Sequence, residues 1–426
     1  MAETKGINIR EISADTLIEI LEHGQFSHLY LKAVLDKYGY LEKSERAFIT
    51  RLVNGVVERK LELDYIIDQY SKTKAKKMKP FIRTIMRMGV FEIYYMDSVP
   101  DSATCNEYVK LAKKRSFAGL SGFVNGVLRS IARGKGQVSI DDLSIKYSMP
   151  QWIVDKWIFD YGREQTEEIL KGFFTEEKLC IRLNKNKTDD IELARRLEAN
   201  GIRFEAAKNL PWAAYISGFD SVAAIPQFKD GLFYVQDYSS QLVPYMAGVK
   251  ETDQVIDVCA APGGKALHCA ELASDGQVVA RDLTDAKVAL INENIARTGA
   301  TNITAQQWDA TKLDENSIRK YDIVIADLPC SGLGIIRKKP DIKYNQTPES
   351  LAELAQLQKQ ILDIVCQYVK AGGTLCYSTC TINKEENENQ VETFLKEHPD
   401  FNRQKMRQLF PNNEHDGFFI CVMKKN

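Results

Sequence analysis

The sequence predicts an α/β protein in which a doubly wound, mainly parallel sheet follows an all-helical domain and a small α+β module. Three observations carry that expectation. The chain has 426 residues, more than one hydrophobic core usually holds. Its first third repeats apolar residues at helical spacing. Beyond about residue 236, short apolar runs alternate with helical segments, the pattern of a parallel sheet with crossover helices.

From Asn8 to about Arg133 every strong signal is helical. Ile82, Ile85, Met86, Gly89 and Ile93 fall on one face, with Arg83, Thr84 and Arg87 expected to face away, and Phe48, Leu52 and Val56 make a second stripe. Pro80 suits a first helical turn, and Gly134-Lys-Gly136 reads as a linker. Residues 139–235 mix helical stretches (Trp152 to Tyr161, Glu164 to Phe174) with strand-like runs at Leu179–Leu183 and Ala214–Ser217, a small α+β module whose Arg182, Lys185 and Lys187 read as surface charges or contacts for an anionic ligand. The third part, 236–426, has apolar runs at Val255–Val258, Gln277–Ala280, Ile303–Trp308, Ile323–Ala326 and Thr374–Tyr377. Helices are expected at Lys265–Ala273, Asp285–Arg297 and Leu351–Tyr368, and Gly417–Met423 reads as a last strand added antiparallel at the sheet edge.

Composition excludes several classes. The N-terminus, Met1-Ala-Glu-Thr-Lys-Gly6, is polar and no apolar run approaches membrane-spanning length, so no membrane partner is expected. Nine cysteines at irregular spacing point to free thiols in a reducing cytoplasm. No Cys-x-x-Cys pair occurs and the five histidines are scattered, so no metal is expected. The net charge of −1 conceals a segregation: residues 71–140 carry fourteen Lys/Arg against four acids, a net +10. Such a patch can dock a phosphate backbone, or be a solvated helix face.

Doubly wound sheets gather ligands outside the carboxyl ends of their strands, and the residues there carry chemistry. Cys259-Ala260-Ala261-Pro262-Gly263-Gly264-Lys265 follows the first apolar run and opens a helix; paired glycines allow a tight turn and close approach of backbone to ligand. Asp282, after the second run, could accept both ribose hydroxyls of a nucleoside, and Asp309, after the third, an adenine amino group. The turn lacks a full G-x-G-x-x-G fingerprint, which weighs against a nicotinamide dinucleotide. Cys330, in Asp327-Leu-Pro-Cys-Ser-Gly332, and Cys380, in Ser378-Thr-Cys380, end two further runs and should converge on the same crevice. Spacing alone does not decide which thiol attacks.

These motifs resemble those of the S-adenosylmethionine-dependent RNA 5-methylcytosine methyltransferases of the NOL1/NOP2/Sun family, over roughly residues 230–426. The helical part resembles the antitermination factor NusB through Arg87–Met96, Asn106–Lys110 and Gly122–Leu128. Together the parts resemble bacterial enzymes that methylate a cytosine of 16S ribosomal RNA. The resemblance implies a class I, Rossmann-like methyltransferase sheet behind a NusB-like RNA-binding domain, and a monomer acting on free or partly assembled small-subunit RNA. It implies that Cys259 to Lys265, Asp282, Asp309 and Asp327 line the cofactor pocket, that Cys380 is the nucleophile, and that Cys330 assists product release. Leu328 and Thr381 depart from the commonest family residues without removing a functional group.

The chemistry requires such residues. Carbon 5 of cytosine is a poor nucleophile until a thiolate adds to carbon 6. An unperturbed thiol is only about 3% ionised at neutral pH, and equalising its two forms takes roughly 2 kcal/mol, which a sulfonium or Lys265 could supply. Asp327 could contact the cytosine amino group or ring nitrogen, or merely orient its loop. Two alternatives remain: a transfer RNA methyltransferase with the same motifs, and a non-catalytic RNA-binding assembly factor. An exocyclic-amino methyltransferase would call for an Asn/Asp-Pro-Pro-aromatic loop in place of Asp327-Leu-Pro-Cys330.

Overall fold

The computed structural model describes residues 8–175 and 178–426; the polar segment 1–6 discussed above lies outside them. The chain divides into two compact units. One comprises Met1–Lys171 with Ile336–Asn345, the other Gly172–Ile335 with Gln346–Asn426.

The first unit is helical, and its centre is the helix Pro80–Tyr95, with Pro80 in the first turn as expected. The Ile82–Ile93 stripe is buried, but so are Thr84 (0% exposed) and Arg87 (5%), which the spacing had turned outward. A helix enclosed by neighbours on all sides has no solvent face for amphipathic spacing to reveal. Arg87 is accommodated by a bidentate pair with Asp64, at 2.7 Å on both oxygens. Buried Glu92 on the same helix accepts from Arg10, Thr104 and Tyr108. Neighbouring helices approach where side chains are missing. The Phe91 ring fills the place of a Cβ on Gly55, and Leu128 crowds Gly89. Segment Ile336–Asn345 joins this unit: the Ser27 amide donates to Asp341 at 3.2 Å, Lys343 Nζ donates to the Glu58 carbonyl at 2.7 Å, and the Tyr344 and Ser148 hydroxyls meet at 3.1 Å.

The basic stretch is smaller than its formal charge. Arg83 pairs with Glu22, Arg87 with Asp64, and Lys114 and Arg115 with Glu11, all acids outside the 71–140 window. What stays exposed without an ion pair among the described residues is Lys72, Lys74, Lys76, Lys77 and Lys79, around the short turn Ala75–Lys77, together with Lys113, Arg129 and Arg133.

In the second unit, four strands form an antiparallel sheet in the order β2-β3-β1-β4: β1 (Leu179–Leu183), β2 (Arg203–Ala206), β3 (Ala213–Ser217) and β4 (Phe233–Val235). Arg182 on β1 is neither surface nor ligand contact, contrary to both expectations. It is 0% exposed, with Nη1 2.6 Å from Glu271 at an angle poor for a hydrogen bond, Nε donating to Gln236 at 2.7 Å, and its guanidinium over the Tyr234 ring. Lys187 Nζ donates to the Asp230 carbonyl. A strand buried on both faces must pair any charge it carries.

The large sheet holds β5 (Gln254–Asp257), β6 (Gln277–Asp282), β7 (Ile303–Gln307), β8 (Tyr321–Asp327), β9 (Val369–Thr379), β10 (Phe401–Leu409) and β11 (Phe418–Lys425), ordered β10-β11-β9-β8-β5-β6-β7. Strands β5 to β9 are parallel and β11 is antiparallel to both neighbours, giving the Rossmann-like class I arrangement. One expectation is corrected: β11 is not the edge. Strand β10 pairs outside it, and its charged sequence, Phe401-Asn-Arg-Gln-Lys-Met-Arg-Gln-Leu409, suits an exposed edge while hiding the apolar strand signal. No helix among the described residues is long and apolar enough to cross a membrane.

Candidate functional site

Strand pairing assembles the site at the carboxyl ends of β5, β6, β8 and β9. Asp327 and Ser378 are register partners on β8 and β9. The residues just beyond them therefore come together: Cys330 Sγ and Cys380 Sγ lie 3.3 Å apart, each half-buried. Between the two loops the Gly334 amide donates to the Cys380 carbonyl at 3.0 Å, while the Gly334 carbonyl accepts from the Gly417 amide at 2.9 Å. A Cβ on Gly334 would run into the Gly417 carbonyl and sit 2.8 Å from that of Cys380. Gly334→Ala is expected to separate the two cysteines and to lower turnover at least about tenfold with ligand binding retained, since a displacement on the scale of 1 Å is enough to cost catalysis. Calorimetric titration beside a turnover assay checks both halves.

The loop after β5 turns at Gly263, which has a φ of +105° and caps the helix Gly264–Leu272. A side chain there would be strained whatever the space. Asp282, at the end of β6 and 3% exposed, takes the Ala261 amide at 2.9 Å and the Leu283 amide at 2.8 Å, with Lys287 Nζ 2.9 Å away. It binds the glycine loop to the next strand and borders the same cleft. Asp309 accepts from the Thr311 amide and hydroxyl, donors that hold its carboxyl below the usual range. That is the loop-capping geometry, with the carboxylate still at the cleft.

Asp327 is held from two sides, by Lys265 Nζ at 2.7 Å and the Ser378 hydroxyl at 2.7 Å. Lys265 is therefore no plain helix-start surface residue. Burial pulls its pKa down, but the Asp327 carboxylate outweighs burial and the ammonium titrates above its ordinary value. The charge available to stabilise a thiolate is thus shared with Asp327.

A cleft of about 310 Å³ is lined by Trp308 and Asp309 after β7, Asp282 at the end of β6, Cys259 and Ala261 after β5, and Asp327, Cys330 and Cys380 at and beyond the ends of β8 and β9. Its size is at the small end for organic ligands. A buried carboxylate, Asp282, and two neighbouring thiols, Cys330 and Cys380, thus border one cleft. Of the loop Cys259–Lys265, Cys259 and Ala261 line the cleft, whereas Ala260, Pro262, Gly263, Gly264 and Lys265, expected to line it, do not.

Sequence reasoning missed Asp257 and Lys287. Asp257 ends β5, and burial, aided by the Asp327 charge, pushes its carboxyl up to about 7; its Oδ2 has no hydrogen-bond partner among the described residues. An acid inside the apolar run Val255-Ile-Asp-Val258 was the signal. An acid whose folded pKa exceeds its unfolded value near 4 binds its proton more tightly in the fold, so stability falls as pH rises from about 4 to about 7 and then levels. Asp257→Asn is expected to raise the melting temperature by a few degrees at pH 8 and to leave it unchanged at pH 4, which a melting series across pH checks.

Known proteins resemble this chain over nearly its whole length. The profile of the family described as 16S rRNA methyltransferase RsmB/F matches residues 245–424, that of the NusB family residues 7–133, and that of an RsmF/B-like, ferredoxin-like domain residues 149–223. A Bacillus subtilis (strain 168) protein named probable ribosomal RNA small subunit methyltransferase B is 37% identical over 99% of each chain. Among solved structures, PH0851 superposes over 99% of both chains with a TM-score of 0.82 at 24% identity. NSun6 from Pyrococcus horikoshii with SFG covers 65% of this chain and 98% of its own, at a TM-score of 0.59 and 22% identity.

Proposed function

The chain belongs to the RsmB/F family of 16S ribosomal RNA methyltransferases, and from that premise we propose that it methylates carbon 5 of a cytosine in 16S ribosomal RNA through a covalent bond between Cys380 and the base. S-adenosylmethionine is the methyl donor. The observation that carries the reading is the 3.3 Å meeting of two thiols that both line the cleft. A methyltransferase acting on an exocyclic amine needs no thiol, whereas one acting on carbon 5 needs a nucleophile and a base.

The two thiols differ in environment. The hydrogen bond with Cys380, burial and the neighbouring Cys380 and Glu386 charges hold the Cys330 thiol well above its ordinary pKa. Cys330 is thus protonated in the free enzyme and can donate to the Cys380 sulfur, which gives up its own proton to water and attacks carbon 6 as the thiolate. The attack moves a ring electron pair to carbon 5. The bound sulfonium supplies the electrophilic methyl group that carbon 5 takes. In the adduct the Cys380 sulfur is bonded and neutral, so the largest cause of the Cys330 shift is gone. Cys330 then loses its proton to water, accepts the proton from carbon 5, and the returning electron pair expels the Cys380 thiolate. Asp327, its oxygens fixed by Lys265 and Ser378, is placed to accept from the cytosine amino group as charge develops on the ring.

The target base must leave its stack to meet a thiol from the ring face. In this reading the helical part, 1–138, and the module of residues 139–235 hold flanking RNA while residues 236–426 perform the chemistry. The exposed lysines 72, 74, 76, 77 and 79 supply phosphate contacts, and the enzyme works as a monomer in the cytoplasm. Transfer of labelled methyl to unmodified 16S RNA, transfer RNA and a DNA control tests the assignment. Label recovered as 5-methylcytosine in 16S RNA is the expected result. Label only in transfer RNA would move the substrate, and cofactor binding without transfer would leave an assembly factor.

A further inference from the structure

Beside the two cysteine loops lies a buried carboxylate whose partners tie the loops to the segment that follows them. Glu386 is 0% exposed. Its Oε1 accepts from the Ser331 amide at 2.8 Å and from Gln358 Nε2 at 3.1 Å. Its Oε2 accepts from the Ser331 hydroxyl at 2.5 Å and from Asn383 Nδ2 at 3.0 Å. No Lys or Arg forms an ion pair with it among the described residues. A buried carboxylate answered only by neutral donors is costly, and a purely apolar or amide filling of the same space would be cheaper.

The position of this charge is specific. Ser331 follows Cys330 directly, and its hydroxyl also meets the Thr381 hydroxyl, directly after Cys380, at 2.8 Å. The same segment grips the second loop: Asn387 Nδ2 donates to the Thr381 carbonyl at 3.1 Å, and the Thr379 hydroxyl donates to Asn387 Oδ1 at 2.5 Å. The Tyr377 hydroxyl on β9 closes the network on the Glu386 carbonyl.

We infer that Glu386 is a positioning residue for the methyl-transfer reaction, fixing the Cys330 loop against the Cys380 loop through Ser331 and Thr381 and presenting its negative charge to the Cys330 side of the pair. It touches neither substrate nor cofactor in this role. Its charge also opposes ionisation of Cys330, acting with the hydrogen bond from Cys380 and burial, so that the proton stays on Cys330 until Cys380 has attacked. Glu386 thereby separates the roles of two otherwise similar thiols. The inference rests on the roles proposed for Cys380 and Cys330, and its test includes a readout that needs no turnover.

Glu386→Gln keeps the shape and removes the charge, and Ser331→Ala keeps the charge and cuts the hydroxyl bridge. Each purified full-length protein is treated with iodoacetamide at neutral pH, and alkylation of Cys330 and Cys380 is followed by peptide mass spectrometry. Initial rates of methyl transfer to 16S RNA are measured in parallel. Glu386→Gln should speed Cys330 alkylation several-fold, because removing a neighbouring negative charge favours the thiolate. It should also lower kcat at least about tenfold with KM for S-adenosylmethionine unchanged. Ser331→Ala should lower kcat in the same way without speeding Cys330 alkylation. Parent rates in both assays for Glu386→Gln would overturn the inference. So would a loss of melting temperature with unchanged thiol rates, which is the signature of a residue that only supports the fold. If 16S RNA proves not to be methylated, the alkylation rates still report on Glu386 independently of the proposed reaction.

Discussion

Cys380→Ala is expected to abolish methyl transfer, by at least about 10³-fold, the scale on which the loss of a covalent nucleophile is felt, while S-adenosylmethionine binding stays within a factor of about two or three. Cys380 follows β9 and Asp282 ends β6, with β8 and β5 between them, so truncating the thiol leaves the proposed cofactor contacts in place. Cys330→Ala should behave differently. It removes the group proposed to take the carbon 5 proton after Cys380 has bonded to the base, and so should stall the reaction as a protein–RNA adduct visible on a denaturing gel. Initial rates with labelled methyl donor, run beside the gel, separate the two variants. Equal losses without an adduct in either would show that the cysteines act only as a packed pair.

The second large effect lies away from the thiols. Arg182→Ala should destabilise the second unit by about 3–5 kcal/mol, because it leaves the carboxylate of Glu271 buried and unpaired. Arg182 joins β1 to the helix that the glycine loop opens, through Glu271 and a 3.4 Å contact with the Gly264 carbonyl. The loss of melting temperature should therefore be accompanied by weaker cofactor binding. Arg182→Met, which restores bulk but not charge, should remain as unstable, whereas Arg182→Met combined with Glu271→Leu should recover most of the loss, since an apolar pair can replace a buried ion pair. Thermal melts of the two single and the double variants test this. Recovery by Arg182→Met alone would mean that packing, not charge, is at stake.

Much of the site could be read from the chain because its residues follow strands. Cys259–Lys265, Asp282, Asp327, Cys330 and Cys380 come just after or at the ends of apolar runs, and in a parallel sheet those ends converge by topology. What escaped reading was whatever depends on partners distant in sequence. Arg87 and Arg182 look like surface charges until Asp64 and Glu271 are seen to meet them. The +10 of residues 71–140 shrinks once Glu11, Glu22 and Asp64 fold against it. Strand β10 carries three cations and lacks an apolar alternation because it is an exposed edge. Glu386 sits in the charged run Lys384-Glu-Glu-Asn-Glu388, where nothing distinguishes the one buried acid from its neighbours. The passage of 336–345 into the helical unit has no local signal either, since it depends on where Ser27, Glu58 and Ser148 lie.

The central claim is that the Cys380 sulfur becomes bonded to the target cytosine. It is tested most directly by incubating Cys330→Ala with 16S RNA and S-adenosylmethionine, digesting the trapped species with nuclease and protease, and locating the nucleotide by mass spectrometry. The account predicts a methylated cytidine attached to the peptide containing Cys380. A nucleotide on any other residue, or none at all while methylation proceeds, would contradict it.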